Sequence, residues 1–234
     1  APLVLAADGR RSACATALGL SRPPVAPRRW AVGAYFEGVA GLGDHGEMHI
    51  RRGHYIGVAP VPGGLANACL VCDGGSDAHD LRQPAGTLER ALSGDEQLGD
   101  RFSRAARVTP ARVLGPLAVV SRAAGVPGLM LAGDAAGFVD PMTGDGIRIA
   151  MAGAELAADA ALRALSGELN APHEWLTAER RRRFGRKLRV NRWLRTLVGS
   201  PVLLAGAVTV GGWFPGAVQQ LVAYAGDVDE EQSV

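Results

Sequence analysis

The densest usable chemistry in this 234-residue sequence lies in one short stretch, Gly133-Asp134-Ala135-Ala136-Gly137-Phe138-Val139-Asp140-Pro141-Met142-Thr143-Gly144-Asp145-Gly146-Ile147. Residues 128–132 ahead of it form an apolar run of the buried-strand kind, so Asp134 is delivered to a strand's carboxyl end, where open α/β sheets place ligands. A carboxylate there can accept hydrogen bonds from sugar or polyol hydroxyls. Gly144 and Gly146 flank the start of the next helix, whose unpaired N–H groups and dipole favour an anionic or electron-rich group that only glycine lets come close. An N-cap in an ordinary glycine-rich loop fits the same residues. A second cluster, Ala7-Asp8-Gly9-Arg10-Arg11-Ser12, closes the short apolar run 3–7 and opens an Ala-rich stretch with Ser12 as its N-cap.

These clusters need strands and helices to hold them, and the patterning supplies them. Residues 3–7, 12–18 and 146–165 read as strand, helix and a long small-residue helix. In that last helix Arg148, Glu155, Asp159 and Arg163 fall within about 80°, leaving the rest of the circumference to apolar residues that pack tightly on a sheet. Four β-like runs, 30–39, 47–51, 54–61 and 65–72, predict an antiparallel meander. A helix is expected over 84–102, a strand over 112–120 and a third helix from Pro172. The fold class expected is therefore mixed α/β.

Composition sets the outer bounds. Hydrophobic residues make up 47% and charged residues 21%, ordinary globular values that exclude wholesale disorder. The net charge of +2 gives the whole chain no nucleic-acid footprint, although residues 180–195 are strongly basic. Three cysteines are too few for a secreted disulfide framework, which points to a cytoplasmic compartment. No basic segment with an apolar run after it, as in a signal peptide, opens the chain.

The stretch from Gly133 to Ile147 resembles the Gly-Asp fingerprint of flavoproteins of the aromatic hydroxylase and geranylgeranyl reductase type. Residues 7–12 are similar to the Asp-Gly fingerprint of the same superfamily, and Val58-Ala59-Pro60-Val61-Pro62-Gly63-Gly64 resembles the sheet segment between the two. The resemblance spans roughly the first 165 residues and implies FAD as cofactor and NAD(P)H as electron donor. It implies that Asp134, following Gly133, binds the ribityl or diphosphate part of FAD. The backbone of Thr143, Gly144, Asp145, Gly146 and Ile147 would face the flavin pyrimidine, while Asp8, Gly9 and Arg11 would form the turn beside the nicotinamide entry route. The implied organisation is a partial Rossmann-like FAD domain at 1–28 and 107–165, an inserted antiparallel β-sheet substrate domain at 29–106, and a helical C-terminal region at 166–234. The expected activity is NAD(P)H-driven monooxygenase-type chemistry on a small or lipophilic substrate, with double-bond reduction or a non-catalytic lipid- or partner-binding module as alternatives.

Two departures qualify the resemblance. No Gly-x-Gly-x-x-Gly follows an initial strand, so the adenosine half of the site is absent from these residues, and the expectation is a truncated sequence. The Tyr-x-Trp-x-Phe-Pro pattern of archaeal-type prenyl reductases survives only as Tyr55 and Pro60, which argues for a differently shaped pocket. Among other residues, Cys69 and Cys72 fall on opposite faces of a strand and read as structural. His49 could face a pocket, and Arg51 and Arg52 could orient an acidic substrate. The basic run 180–195 reads as a solvated helix or one lying on anionic lipid. The charge-free stretch 196–226, interrupted by glycine and proline, fits two short buried helices, with peripheral membrane contact through 180–226 as the alternative. Oligomeric state leaves no signal.

Overall fold

The computed structural model describes residues 1–22, 28–73, 80–138, 141–199 and 216. The elements are β1 (Val4–Ala6), α1 (Ala13–Ala17), β2 (Ser21–Arg22), β3 (Arg29–Glu37), β4 (Glu47–Arg51), β5 (His54–Val61), β6 (Leu65–Asp73), α2 (Pro84–Ser93) and α3 (Gly99–Phe102). They continue with β7 (Ala106–Arg107), β8 (Arg112–Leu114), β9 (Val120–Ser121), β10 (Gly125–Val126), β11 (Leu129–Leu131), α4 (Gly146–Leu165) and α5 (Pro172–Gly199). The mixed α/β class is the one expected. The chain divides into two compact units, one built mainly from residues 1–24 and 118–196, the other from 25–117.

Period-two alternation builds the second unit. β3, β5 and β6 put Val32, Ala34, Phe36, Ile56, Val58, Ala66, Ala68, Leu70 and Cys72 into one core. α2 covers that face with Leu88 and Leu92, and Phe102 meets the Phe36 ring edge-on at 5.3 Å. The strand order is β4-β5-β6-β3-β7, with β8 also paired to β3. Only β4, β5 and β6 are therefore a true meander, because β3 returns on the far side of β6.

Three local expectations change. The strand expected over 112–120 is two short strands, β8 and β9, separated by the Gly115-Pro116 step. The helix expected over 84–102 stops at Gly94 and restarts as α3, because Asp95 accepts hydrogen bonds from the Gln97 and Leu98 amides at 2.9 and 3.1 Å and so caps a new turn. Arg51 binds the same carboxylate through two nitrogens at 2.7 and 3.0 Å, and this places it in a structural pair rather than before a substrate. Burial pushes the Asp95 pKa up, but the hydrogen bonds from Arg51 and the two amides outweigh it and hold the group below its usual value. His49 is likewise engaged, with Gln97 at 3.1 Å and Glu47 at 3.0 Å. The cause is register: Glu47, His49 and Arg51 alternate onto one face of β4, which meets Asp95, Gln97 and, on α3, Arg101.

The first unit is a small α/β layer. β1 pairs in parallel with β11, and β10 closes the sheet antiparallel to β11. Met130 and Leu131 point to opposite faces, one into the core made by α4 and α5, the other into the core made with α1. On α4, Gly153, Leu156, Ala157, Ala160 and Ala161 are buried, as the small-residue pattern predicts. The expected tight packing holds for that face alone, since Ile147, Met151, Leu162 and Leu165 are 61–77% exposed.

α5 corrects the reading of the basic run as a solvated helix. Its buried face carries Arg180, Phe184, Lys187, Asn191 and Arg195, a spacing of three to four residues that lines charge along the interior side. Beyond Gly199 the stretch 196–226 lies outside the described residues except Gly216. Among the described residues no helix is long and apolar enough to cross a membrane.

Glu47 gives the antiparallel unit a measurable acid sensitivity. Hydrogen bonds from Arg101 at 2.6 and 2.8 Å, with further help from His49, hold its carboxyl down at about 2, against the opposing effect of burial. A depressed carboxyl pKa stabilises the fold above the unfolded value and loses that stabilisation as pH falls through the folded one. Denaturation of the wild type should therefore show stability falling between about pH 4.5 and pH 2. Glu47→Gln should be less stable at pH 7 by about 1.5–3 kcal/mol and should flatten this acid limb; an unchanged limb would remove Glu47 from the account.

Candidate functional site

The site begins with strand pairing. In the parallel register Ala6 lies opposite Leu131, and the Ala132 amide bonds the Ala6 carbonyl at 2.9 Å. The turns that follow, one carrying Asp8 and Gly9 and the other Gly133 and Asp134, therefore leave the same carboxyl edge of the sheet. This is the juxtaposition that the two sequence clusters imply.

At the second turn Gly133 adopts φ +61° and leads into the 3-10 turn Gly133–Ala136, whose first turn holds Asp134. Burial raises the Asp134 pKa and the charge of Arg10 opposes it. The effect is mutual: burial and neighbouring Arg11 push the Arg10 pKa down, and Asp134 pulls it back up. Among the described residues no donor hydrogen-bonds the Asp134 carboxylate, so its acceptor capacity faces outward from the protein's own network. Arg10 is the partner that sequence reading missed. The Arg-Arg pair was visible, but the pattern alone does not say which of two adjacent arginines turns toward the sheet edge.

Asp8 has a local role. Its carboxylate accepts from the Ala13 amide at 2.8 Å at the start of α1, and Ser12 caps the same helix through the Ala15 amide at 2.9 Å. A hydrogen bond from Ser12 is the main reason its pKa lies below the usual value. Gly9 takes φ +77°, and Arg11 is exposed.

The Thr143–Ile147 segment divides by role. The backbone of Thr143 closes a second 3-10 turn, Pro141–Thr143. Gly144 has φ +70°, and a Cβ built there would meet nothing within 4 Å, so the residue faces open space with a backbone that side chains resist. At Gly146 a Cβ would lie 3.1 Å from the Phe138 ring, so close packing rather than dihedral angle demands glycine. Asp145 turns inward: it is buried and pairs with Arg148 at 3.0 Å and with Lys187 of α5 at 3.3 Å. Its side chain thereby ties the loop to α5. Ile147 is 77% exposed.

The remaining chemistry resolves as structure. Cys72 is buried and Cys69 only partly so, as opposite strand faces require; burial pushes the Cys72 thiol up to about 11. Tyr55, the residue shared with the prenyl reductase pattern, is buried with its ring 6.0 Å from the Arg29 guanidinium. Among the described residues there is no group of metal-ligating side chains.

No protein-family model and no curated protein matches the chain. Solved structures do. The flavin-dependent brominase Bmp2 superposes with a TM-score of 0.78 at 16% identity, covering 97% of this chain and 57% of its own. The halogenase PltM in complex with FAD gives 0.69 at 16% identity over 96% of this chain and 51% of its own. A flavoprotein/dehydrogenase from Cytophaga hutchinsonii gives 0.71 at 17% identity over 87% and 50%. The chain thus shares the fold of these flavoproteins and spans about half their length.

The two loop glycines should respond differently to substitution. Gly144→Ala should cost about 1–2 kcal/mol through its left-handed backbone alone. Gly146→Ala should destabilise by crowding Phe138, and adding Phe138→Leu should restore part of the loss. Strict additivity of the last pair in chemical denaturation would show that the ring contact does not govern Gly146.

Proposed function

We propose that this chain carries the ribityl- and ring-binding half of an FAD-dependent oxidoreductase of the flavoprotein monooxygenase type, taking electrons from NAD(P)H and acting on a small or lipophilic organic substrate. The observation that carries the reading is the shared carboxyl edge of β1 and β11, where an Asp134 carboxylate without a protein donor stands beside Arg10. The fit is chemical. Ribityl and ribose hydroxyls are donors that a desolvated carboxylate lacks, and the open, side-chain-free backbone at Gly144 would let a flat ring approach the N-terminus of α4.

Bound flavin would supply the redox chemistry. The chain's own residues would do the positioning. Asp134 would accept hydrogen bonds from the sugar chain, with the charge of Arg10 opposing the effect of burial on that carboxylate. Asp145, clamped by Arg148 and Lys187, would hold the loop so that the amides at the start of α4 keep their direction. Asp8 would act by fixing the first turn through α1 rather than by touching the cofactor. In this reading the adenosine half is gripped by polypeptide beyond these 234 residues. Val4 and Leu5, 45% and 43% exposed on the edge strand β1, are apolar surface that such a layer would cover.

Flavin content tests the reading. In a form extended upstream, FAD should co-purify, and Asp134→Ala should weaken its binding about ten- to a hundredfold, the loss of a charge-assisted hydrogen bond worth about 1.5–3 kcal/mol. The 234-residue chain alone should hold little FAD. An extended form that binds no flavin would favour a binding module on the same scaffold; unchanged flavin affinity in Asp134→Ala would remove that residue from the site.

A further inference from the structure

Lys187 of the basic α5 face has an acidic partner in Asp145, but among the described residues Arg180 has none. Arg180 is 8% exposed, and one terminal nitrogen of its guanidinium has no hydrogen-bond partner. The other nitrogen reaches the Ala136 carbonyl only at 3.5 Å, and the group stacks 5.4 Å from the centre of the Phe184 ring. Buried charges are ordinarily paired, because burial without a partner costs several kcal/mol. Arg180 therefore calls for a counter-group that the described residues do not supply.

The surroundings say what that group is. Arg180 borders a cavity of about 500 Å³, a size that suits a small molecule. Arg122, Arg181, Arg189, Arg192 and Arg195 also border it, and among the described residues no carboxylate does. Between the cations the wall is apolar, formed by residues such as Val119, Ala124, Phe138, Phe184 and Leu188. None of Asp8, Asp134, Gly144 or Gly146 lines this space, so it is separate from the candidate flavin edge. The Phe138 ring stands between the two, lining the cavity and packing against Gly146.

We propose that this cavity binds a compact organic anion, a carboxylate or phosphate on an apolar body, with Arg180 as its buried anchor. The arginines at the border would draw the anion in, and the apolar wall would select an organic ligand over a hydrated inorganic ion. Gly153 sets the geometry: a side chain there would run into the Arg180 guanidinium, so the missing Cβ gives the anchor its place. The anchor and its ligand are distinct from those of the flavin reading, because Arg180 lies on α5 and none of Asp134, Gly144 or Gly146 lines the cavity.

The test is thermal denaturation and calorimetric titration of the full protein with benzoate and with phenyl phosphate, against sodium chloride at matched ionic strength. At least one organic anion should raise the midpoint beyond chloride and bind with measurable heat. Arg180→Met, which keeps the side-chain length and removes the charge, should weaken that binding roughly ten- to a hundredfold. Its ligand-free midpoint should not fall, since an unpaired buried charge has been removed. Gly153→Ala should also weaken binding, by displacing the guanidinium. The proposal is overturned if neither anion outdoes chloride, or if Arg180→Met binds as the wild type does. It is equally overturned if phosphatidylserine vesicles bind in an Arg180-dependent way while the soluble anions do not.

Discussion

The parallel pairing of β1 with β11 is the constraint on which the rest depends. It joins Val4 to Leu129, Leu5 to Met130 and Ala6 to Leu131, across a sequence separation that the whole antiparallel sheet unit fills. Parallel neighbours cannot be linked by a tight turn, so a long excursion between them is a topological requirement. Here the excursion is itself a folded unit with its own core, which lets the two turns meet at one sheet edge without relying on the excursion to hold them there. The closure entropy of so long a loop grows only slowly with its length, so the insertion costs the pairing little more than a short crossover would.

Charge then fixes what the strands bring together. Asp145 and Lys187 are buried and Arg148 partly so, and their value is geometric: the buried ions would be costly alone, and the pair ties the start of α4 to α5. At the sheet edge the balance is looser. Asp134 is desolvated by its burial and steadied only by the field of Arg10, a state poised to gain from hydroxyl donors. The same fold therefore contains one ion-paired carboxylate that holds a loop and one carboxylate that can receive a ligand.

Legibility in the sequence followed the kind of signal. Period-two alternation set the bounds of β4 and β5, and the small-residue pattern set those of α4, because burial on a regular element writes itself at a fixed spacing. The break at Gly94-Asp95 was not legible, since Asp95 acts through Arg51, a partner 44 positions away. The interior charge on α5 was hidden for a related reason. A run of arginines in every helical direction carries no periodicity, and only the packed structure distinguishes Arg180 and Lys187 from their solvated neighbours. In the candidate site Asp134 and the loop glycines stood out by type and place, whereas Arg10 and the inward turn of Asp145 depend on tertiary contacts.

The outer face of α4 carries the last step. A helix whose apolar residues occupy one stripe is satisfied by one layer, whereas one apolar on two sides is written for burial between layers. α4 is of the second kind: Leu156, Ala157, Ala160 and Ala161 face the core, while Ile147, Met151, Leu162 and Leu165 stand exposed with Ala154 and Ala158 between them. Val4 and Leu5 of β1 are also exposed, and β1 is the edge of its sheet. Water contact with this much aliphatic surface is unfavourable at about 25 cal/mol per Å², and an unpaired strand edge adds its own cost. Both surfaces belong to the unit that carries the candidate site. Stability and ligand binding are therefore linked at this point of the fold, because the exposed stripe begins at Ile147, the residue directly after Gly146 of the candidate site.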